Sequence, residues 1–383
     1  MANAATYARL ALGRKHAAAP VYLIHHVTDR CNARCRHCFI IHDGDYAIPD
    51  GVAGGNVLTL QETAKLTRTL GPNLYTVQLT GGEPMLRADL LGIVRHYYAN
   101  TPARYVQVCT NGFFTDRTVA LAETVMGEDP TRRFGFAMSV DDLSERHDQN
   151  RGIDGLFEQL LTTVRALQEL QGPFPGLQVS INVTVTRYNQ DHLEAIYDYL
   201  VGTVGVQNVV STLVRGRPAD PGSGGVDIDC YERFVERCAE GWARGEHAGF
   251  RQFLEARLVN AQNVFTRRKN VALVRNPAER NTCYAGDLSG VVYADGTVAF
   301  CEEVPYTIGN LRDWDLDFMA LWRSDVAERT RARRDASTCR CTHECFAVCN
   351  TLFNPRNWPQ LAVIAAKGSR ASGNGGGAPH VRG

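Results

Sequence analysis

The sequence predicts an α/β fold, a partial (β/α)6 TIM-like barrel with a small cysteine-rich domain on its C-terminal side. Three observations predict it. Short β-rich stretches alternate with helix-length ones through the first two-thirds of the 383 residues. Residues able to do chemistry recur just after those stretches, and six of the twelve cysteines fall between positions 283 and 349. Strands separated by helices read as parallel βαβ units, whose right-handed crossovers wrap into an open or partial barrel.

The elements follow in order. "VYLIHHV" (21–27) is strand one, followed by the helical "QETAKLTRTL"; "YTVQLT" (75–80) precedes "LLGIVRHYYAN", and "RYVQVCT" (104–110) precedes "RTVALAETVM". "FGFAMSV" (134–140) leads into "LFEQLLTTVRALQEL", "LQVSINVTV" (177–185) into "HLEAIYDYLV", and "QNVVSTLV" (207–214) is the sixth strand. A Gly/Pro-rich break, "RGRPADPGSGG" (215–225), ends the alternation. Helical segments reach about residue 266, with Cys230 and Cys238 eight apart on one of them as packing or surface residues. From Cys283 the character changes to short strands and turns, which predicts a domain with little apolar core of its own, organised by metal. The expected boundaries are 1–19 for an N-terminal extension, 20–226 for the barrel, 227–282 for a helical linker, 283–352 for the metal domain and 353–383 for a tail. Its end, "SGNGGGAPHVRG" (372–383), is expected to be disordered.

Bulk properties narrow the function. A formal net charge of +0 gives no footprint for nucleic acid. The basic runs Arg267–Lys269 and Arg331–Arg334 are expected to be solvated faces. Arg9, Arg14 and Lys15 interrupt what would have to be the apolar part of a signal peptide, and "LAVIAA" (361–366) is far too short to span a membrane. The expectation is a cytoplasmic chain with neither nucleic acid nor membrane as partner, whose cysteines serve metal binding or catalysis rather than disulfides.

In parallel α/β folds chemistry gathers at the carboxyl ends of the strands. "CNARCRHCF" (31–39) follows strand one, "GGEP" (81–84) strand two, "TNG" (110–112) strand three, "SVDD" (139–142) strand four and "VRGRP" (214–218) strand six. Three thiols on one loop can converge on a metal centre, where closed zinc sites and ordinary four-iron clusters take four ligands. A three-ligand site leaves one metal position open. His37 adjoins Cys38 too closely to reach the same tetrahedron easily. Gly81 and Gly82 permit close backbone approach, Glu83 can accept from an ammonium group, and Pro84 stiffens the turn.

The C-x3-C-x2-C spacing followed by Phe39, together with "GGEP", resembles the radical SAM (S-adenosylmethionine) superfamily. The resemblance implies that Cys31, Cys35 and Cys38 hold a [4Fe-4S] cluster whose open iron is chelated by S-adenosylmethionine. It implies that the GGE motif carries the methionine end of that cofactor, and that Ser139 and Asp141 contact its ribose. "HDQNRG" (147–152) resembles a segment often seen after that strand. Asn111 and Arg215 lie near the expected cofactor site, and Asn182 near a strand end. Ser139 or Asp141 could instead cap a helix, and Arg215 could pair with a surface acid. Cys109 ends strand three, where it could donate a hydrogen atom to a substrate radical or serve as a small buried hydrophobe.

Cys283-x12-Gly296-x4-Cys301 resembles the opening of the SPASM auxiliary-cluster domain or its shorter form, twitch. The later run, Cys339-x-Cys341-x3-Cys345-x3-Cys349, departs from SPASM in its first two gaps and lacks a seventh cysteine. The resemblance implies at least one auxiliary [4Fe-4S] cluster, held by Cys283 and Cys301 with two of the last four; His343 or substrate could complete a second. A zinc ribbon is the alternative these spacings permit.

The resemblance further implies a flavodoxin or ferredoxin as electron donor. Residues 1–19 are too few for an added leader-peptide domain, which with the twitch-like ligand count points to a small polar metabolite: a sugar, cyclitol or nucleoside. Modification of a peptide side chain is the alternative, and a metal-stapled binding protein a distant one. Oxidation and epimerisation are both open.

Overall fold

The computed structural model describes residues 9–368 except 14, 43–44, 47–55, 251–255, 305 and 338. The expected disordered end, 372–383, lies outside the described residues.

The expected strands form. They are β1 (Tyr22–Thr28), a short pair β2 (Ile41–His42) and β3 (Asp45–Tyr46), then β4 (Thr76–Gly81), β5 (Tyr105–Thr110), β6 (Arg133–Ser139), β7 (Leu177–Val185) and β8 (Val209–Leu213). Helices α1 (Leu60–Arg68), α2 (Leu90–Asn100), α3 (Thr115–Glu128), α4 (Ser144–Arg151), α5 (Leu156–Leu170) and α6 (Leu193–Asp198) connect them. Strands β1, β4, β5, β6, β7 and β8 pair in parallel in that order, so the crossover helices must cover the sheet.

The strand sequences set two different faces. In β4, Val77 and Leu79 are fully buried, while the alternating Gln78 and Thr80 are only half-buried. In β5, Val106 and Val108 are fully buried while Gln107 and Cys109 are not. Parallel strands covered on both faces normally run continuously apolar. Here the apolar set packs with the helices, joining Phe134, Phe136, Leu160 and Val164 in one core. The alternate set turns polar groups toward the inside of the barrel.

The cysteine-rich region, expected to have little apolar core of its own, shares the core of the barrel. Its strands β9 (Ser289–Val292), β10 (Thr297–Ala299) and β11 (Thr307–Asn310) extend the sheet beyond β1. Strand β9 pairs parallel to β1, with Tyr22 opposite Ser289. Val291, Val292, Phe300, Phe318 and Trp322 belong to the same core as the barrel. The fully buried Trp322 also donates its indole N–H to Ala18 O at 2.9 Å. At the surface, Arg312 grips Glu62 (2.6 Å), the residue that closes the N-terminal capping box of α1 with Thr59. That hydrogen bond from Arg312 is the main reason the Glu62 carboxyl is held down to about 2.

Two basic runs read as solvated faces are corrected in part. Arg331 and Arg334 are buried: Arg331 donates to Gly286 O, and Arg334 pairs with Asp287. Arg267 is buried on Ser211 O, whereas Arg268 and Lys269 make outward pairs with Glu236 and Glu279. Guanidinium groups are tolerated inside because carbonyls and carboxylates take up their donors. Past β8, α7 (Ile228–Arg244) and α8 (Ala256–Arg275) lead to β9, and α9 (Phe318–Trp322), α10 (Asp325–Asp335) and α11 (Glu344–Leu352) follow β11. The expected tail begins with a helix, α12 (Trp358–Gly368), whose Leu361 packs on Ala261 and Phe265 of α8. No helix among the described residues is long and apolar enough to cross a membrane.

Candidate active site and iron-sulfur ligands

A cavity of about 210 Å³ opens at the carboxyl ends of the parallel strands. Cys31, Cys35 and Cys38 line it together, on the loop after β1. Backbone bonds dock this loop: Arg34 N and Arg36 N donate to Arg151 O and Asn150 O (2.8 and 2.9 Å), and Asp220 N donates to Arg36 O (2.7 Å). Two of the sulfurs accept backbone N–H groups, Cys31 from Ala33 (3.4 Å) and Cys38 from Ile41 (3.2 Å). Burial pushes the Cys31 thiol up to about 11 and the Cys35 thiol up to about 12, and the charge of Cys38 adds to both. Three partly exposed thiols on one cavity wall, whose charges would repel if ionised together, form a donor set that fits an iron-sulfur cluster.

"GGEP" closes the loop from the side of β4. A Cβ on Gly82 would lie 1.9 Å from Arg30 O, and one on Gly81, whose φ is +117°, would lie 2.2 Å from Thr28 O. Gly82 N and Glu83 N donate to those carbonyls at 2.9 and 2.8 Å. The close backbone approach read from these glycines is therefore one to the chain's own cysteine loop. Pro84, buried, opens a single turn (Pro84–Leu86) and does not reach the cavity wall. Glu83 lines the cavity, but its oxygens already accept from Met85 N, Thr110 Oγ1 and Asn111 N (3.0, 2.7 and 2.8 Å). It fastens the end of β4 to the end of β5, and burial raises its pKa against those three bonds. Asn111 also lines the cavity and donates to Asn32 Oδ1 (2.8 Å), tying β5 to the same loop.

Ser139 and Asn182 stand in the wall, while Asp141 does not. Fully buried, Asp141 accepts from Arg151 Nε (2.8 Å), Asn150 Nδ2 (3.1 Å) and Thr184 N (3.2 Å). Burial alone would raise its pKa, but Arg151 first, then His37 and His147, hold it at about 2. Its geometry presents Arg151, which lines the cavity and places Nη1 3.6 Å from Cys35 Sγ. Sequence reasoning missed Arg151, although "HDQNRG" contained it. His37 lines the cavity and lies 3.2 Å from Asn150 Nδ2 through Nδ1, rather than standing free as a fourth ligand. Across the cavity the Arg215 guanidinium sits 5.3 Å from the centre of the Phe39 ring. Arg215 is held there by Glu344 (2.9 Å), so its acid is an interior one.

The last six cysteines sort into three places. Burial raises the thiols of Cys301, Cys339 and Cys341, the charge of Cys283 adds to each of the three, and that of Cys301 adds to Cys341. Cys301 and Cys341 accept backbone N–H groups from Glu303 (3.4 Å) and His343 (3.3 Å), as the loop sulfurs do. Among the described residues no three metal-ligating side chains are close enough to hold a single ion. Cys349 is buried in the core beside Leu288 O (3.8 Å). Cys345 lines the active cavity instead. Burial opposes ionisation of its thiol, yet His343 and Arg215 outweigh burial and lower its pKa. His343 in turn shares the buried Glu302 with His26, each imidazole 2.7 Å from one carboxylate oxygen. Cys109 lines the same cavity, where it accepts from Gln78 Nε2 at 2.7 Å.

Comparison with known proteins agrees with this geometry. The family profile of the radical SAM superfamily matches residues 26–200, and that of the SPASM iron-sulfur cluster-binding domain matches 283–346. Pre-heme d1 synthase of Dinoroseobacter shibae is 27% identical over 175 residues, 45% of this chain and 38% of that protein. The match therefore spans well under half the length of that relative. The structure of anSMEcpe with bound AdoMet superposes with a TM-score of 0.58 at 17% identity, covering 92% of this chain and 98% of that one. Streptococcus suis SuiB bound to its precursor peptide SuiA gives 0.57 at 14% identity, over 80% of this chain and 65% of that one. These likenesses show a shared fold. Residues 26–200 thus form a radical SAM domain and residues 283–346 a SPASM-type domain, and the cofactors these domains imply are a [4Fe-4S] cluster with S-adenosylmethionine and auxiliary iron-sulfur chemistry.

Proposed function

We propose that Cys31, Cys35 and Cys38 hold the S-adenosylmethionine-binding cluster and that the cavity beside them takes a small polar metabolite, modified by dehydrogenation or a related step. When bound, this cofactor pair supplies a carbon-centred radical able to remove hydrogen from an unactivated carbon. The chain's part is to bind, orient and exclude water. Arg151 offsets negative charge at Cys35, and the Glu83–Asn111–Asn32 chain holds the cysteine loop against β4 and β5. Ser139, in the cavity wall with Phe39 and Arg215, is assigned to the cofactor's ribose.

The single observation that favours a small polar substrate is the chemistry of the barrel wall. Gln78, Thr80, Asn182, Thr184 and Thr212 all line the cavity. Amides and hydroxyls in a shared wall offer paired donors and acceptors to a polyhydroxylated or nucleoside-like ligand. Cys283, Cys301, Cys339 and Cys341 are assigned to the auxiliary cluster, and a flavodoxin or ferredoxin is the proposed electron donor. A peptide substrate is the second reading, favoured by the fold shared with SuiB and with anSMEcpe, both solved with peptides bound. The test is 5′-deoxyadenosine release from S-adenosylmethionine by anaerobically reconstituted protein, measured with panels of sugars, cyclitols and nucleosides and with peptides. Stimulation by a small polar compound is the expected result. Stimulation by peptides alone would transfer the proposal to the second reading.

A further inference from the structure

Four arginines among the described residues are buried, and three of them face a carboxylate: Arg151 pairs with Asp141, Arg331 with Glu328 and Arg334 with Asp287, each at 2.7 Å. Arg267, 8% exposed, is the exception. Its Nε donates to Ser211 O (3.1 Å), and its Nη1 donates to Asn263 O and Asn263 Oδ1 (both 3.1 Å). Among the described residues Nη2 has no partner, and no carboxylate lies within ion-pairing distance of the guanidinium. Glu344, held by Asn270 one turn along α8 (3.1 Å), is committed to Arg215. A guanidinium taken out of water without a counter-charge is costly.

This unbalanced charge borders a second cavity, of about 40 Å³, between β8 and helices α7 and α8. The cavity shares no lining residue with the active one and lies by the amino end of β8, where Asn208 precedes Val209. Asn208 lines it as well, is 5% exposed, and its Nδ2 has no partner. Two buried donors, one of them charged, thus border one small space. No Asp or Glu among the described residues lines it, and Val235 and Trp242 form part of the wall. By this measure of volume a water needs about 10–15 Å³, so the space is that of roughly three waters. Water could serve the amide but would leave the charge unbalanced.

We propose that this second cavity binds a small monovalent anion, a halide or a one-carbon carboxylate, which accepts from Arg267 Nη2 and Asn208 Nδ2 and supplies the counter-charge missing there. The anion ties the start of β8 to α8. Asn270 on the same helix donates to Glu344, and Glu344 holds Arg215 in the wall of the active cavity. Anion binding at the far end of β8 therefore also steadies the helix on which that wall residue depends. The site is independent of the iron ligands and of the reading of the active cavity.

Thermal melts of the anaerobically reconstituted full chain test this, in potassium gluconate replaced stepwise by chloride or by formate at constant ionic strength. Gluconate is too large for the cavity. A ligand that binds only the folded chain raises the melting temperature with its concentration, and a rise of about 2–4 °C is expected once the anion is well above its dissociation constant. The anion that acts at the lower concentration is the better occupant. Asn208→Leu, which removes one donor and fills the space, is expected to lose most of the rise. Melts that do not move, or that move equally in Asn208→Leu, would reduce the effect to general salt action and overturn the proposal. A second measurement needs no variant. Wild-type crystals grown in bromide, and others grown in formate, are expected to show a bromine anomalous peak or a flat three-atom density beside Arg267 Nη2. Water alone in both crystals would overturn the anion site.

Discussion

Replacing Cys31, Cys35 and Cys38 together with alanine is expected to abolish 5′-deoxyadenosine formation while leaving the fold in place. The loop is docked mainly by its backbone, since the bonds its sulfurs accept from Ala33 N and Ile41 N are local to the loop. It is held by backbone bonds from Arg34, Arg36 and Asp220, and from Gly82 and Glu83 to the segment just before it. Losing three partly exposed thiols should shift the stability of the iron-free chain by no more than about 1 kcal/mol. The expected outcome is thus a split between two measurements: thermal melts of the iron-free proteins nearly coincide, and cofactor cleavage drops to background. Cleavage surviving in the triple variant would remove this loop from the chemistry.

Asp141→Asn should be the most damaging single change in the site. Asp141 and Arg151 are both buried, with Arg151 Nη2 2.7 Å from Asp141 Oδ2. Removing one charge leaves the other desolvated and unpaired, at a cost of about 3–5 kcal/mol. It also frees the guanidinium that faces Cys35, so deoxyadenosine formation should fall in whatever protein remains folded. The pH dependence has a definite sign. The folded pKa of Asp141, about 2, lies below its ordinary value of 3.8. A depressed carboxylate contributes stability that is fully present above the unfolded pKa and is lost as pH falls through the folded one. The stability gap between wild type and Asp141→Asn should therefore be constant near neutrality and narrow between about pH 4 and pH 2. Urea titrations across that range would show it. A gap that widens as pH falls would mean the carboxylate is not what Arg151 stabilises.

How far the sequence could be read depended on whether a residue's role is local. The six parallel strands and the loops after them were legible because alternating β-rich and helical stretches are local signals. "CNARCRHCF" and "GGEP" were legible as a site because both follow strands whose carboxyl ends converge. The partners of individual side chains were not. Asp141 looks like any polar residue after a strand; only the fold brings Arg151, ten positions on, back across it. Gly81 and Gly82 suggested room for a ligand, but the neighbour they make room for is the Thr28–Arg30 backbone. The cysteine-rich region read as having little core of its own, because the sequence does not say what its apolar residues pack against. They complete a core begun some 267 residues earlier, through β9 against β1, where Ser289 pairs with Tyr22. Cys345 shows the same limit most sharply: four cysteines spaced over residues 339–349 carry no sign that the short helix α11 turns one toward the cavity and another, Cys349, into the core.

The chain is proposed to hold two separate thiol sets, a three-thiol loop at the cavity and a four-thiol group in the C-terminal region. Iron counting after anaerobic reconstitution tests it most directly, on wild type, on the Cys31/Cys35/Cys38 alanine variant, and on a variant with Cys283, Cys301, Cys339 and Cys341 changed to alanine. The expected result is about eight irons in wild type and about four in each variant, with deoxyadenosine chemistry absent from the first variant. About twelve irons in wild type, or zinc in place of iron at the four-thiol group, would contradict that division of the cysteines.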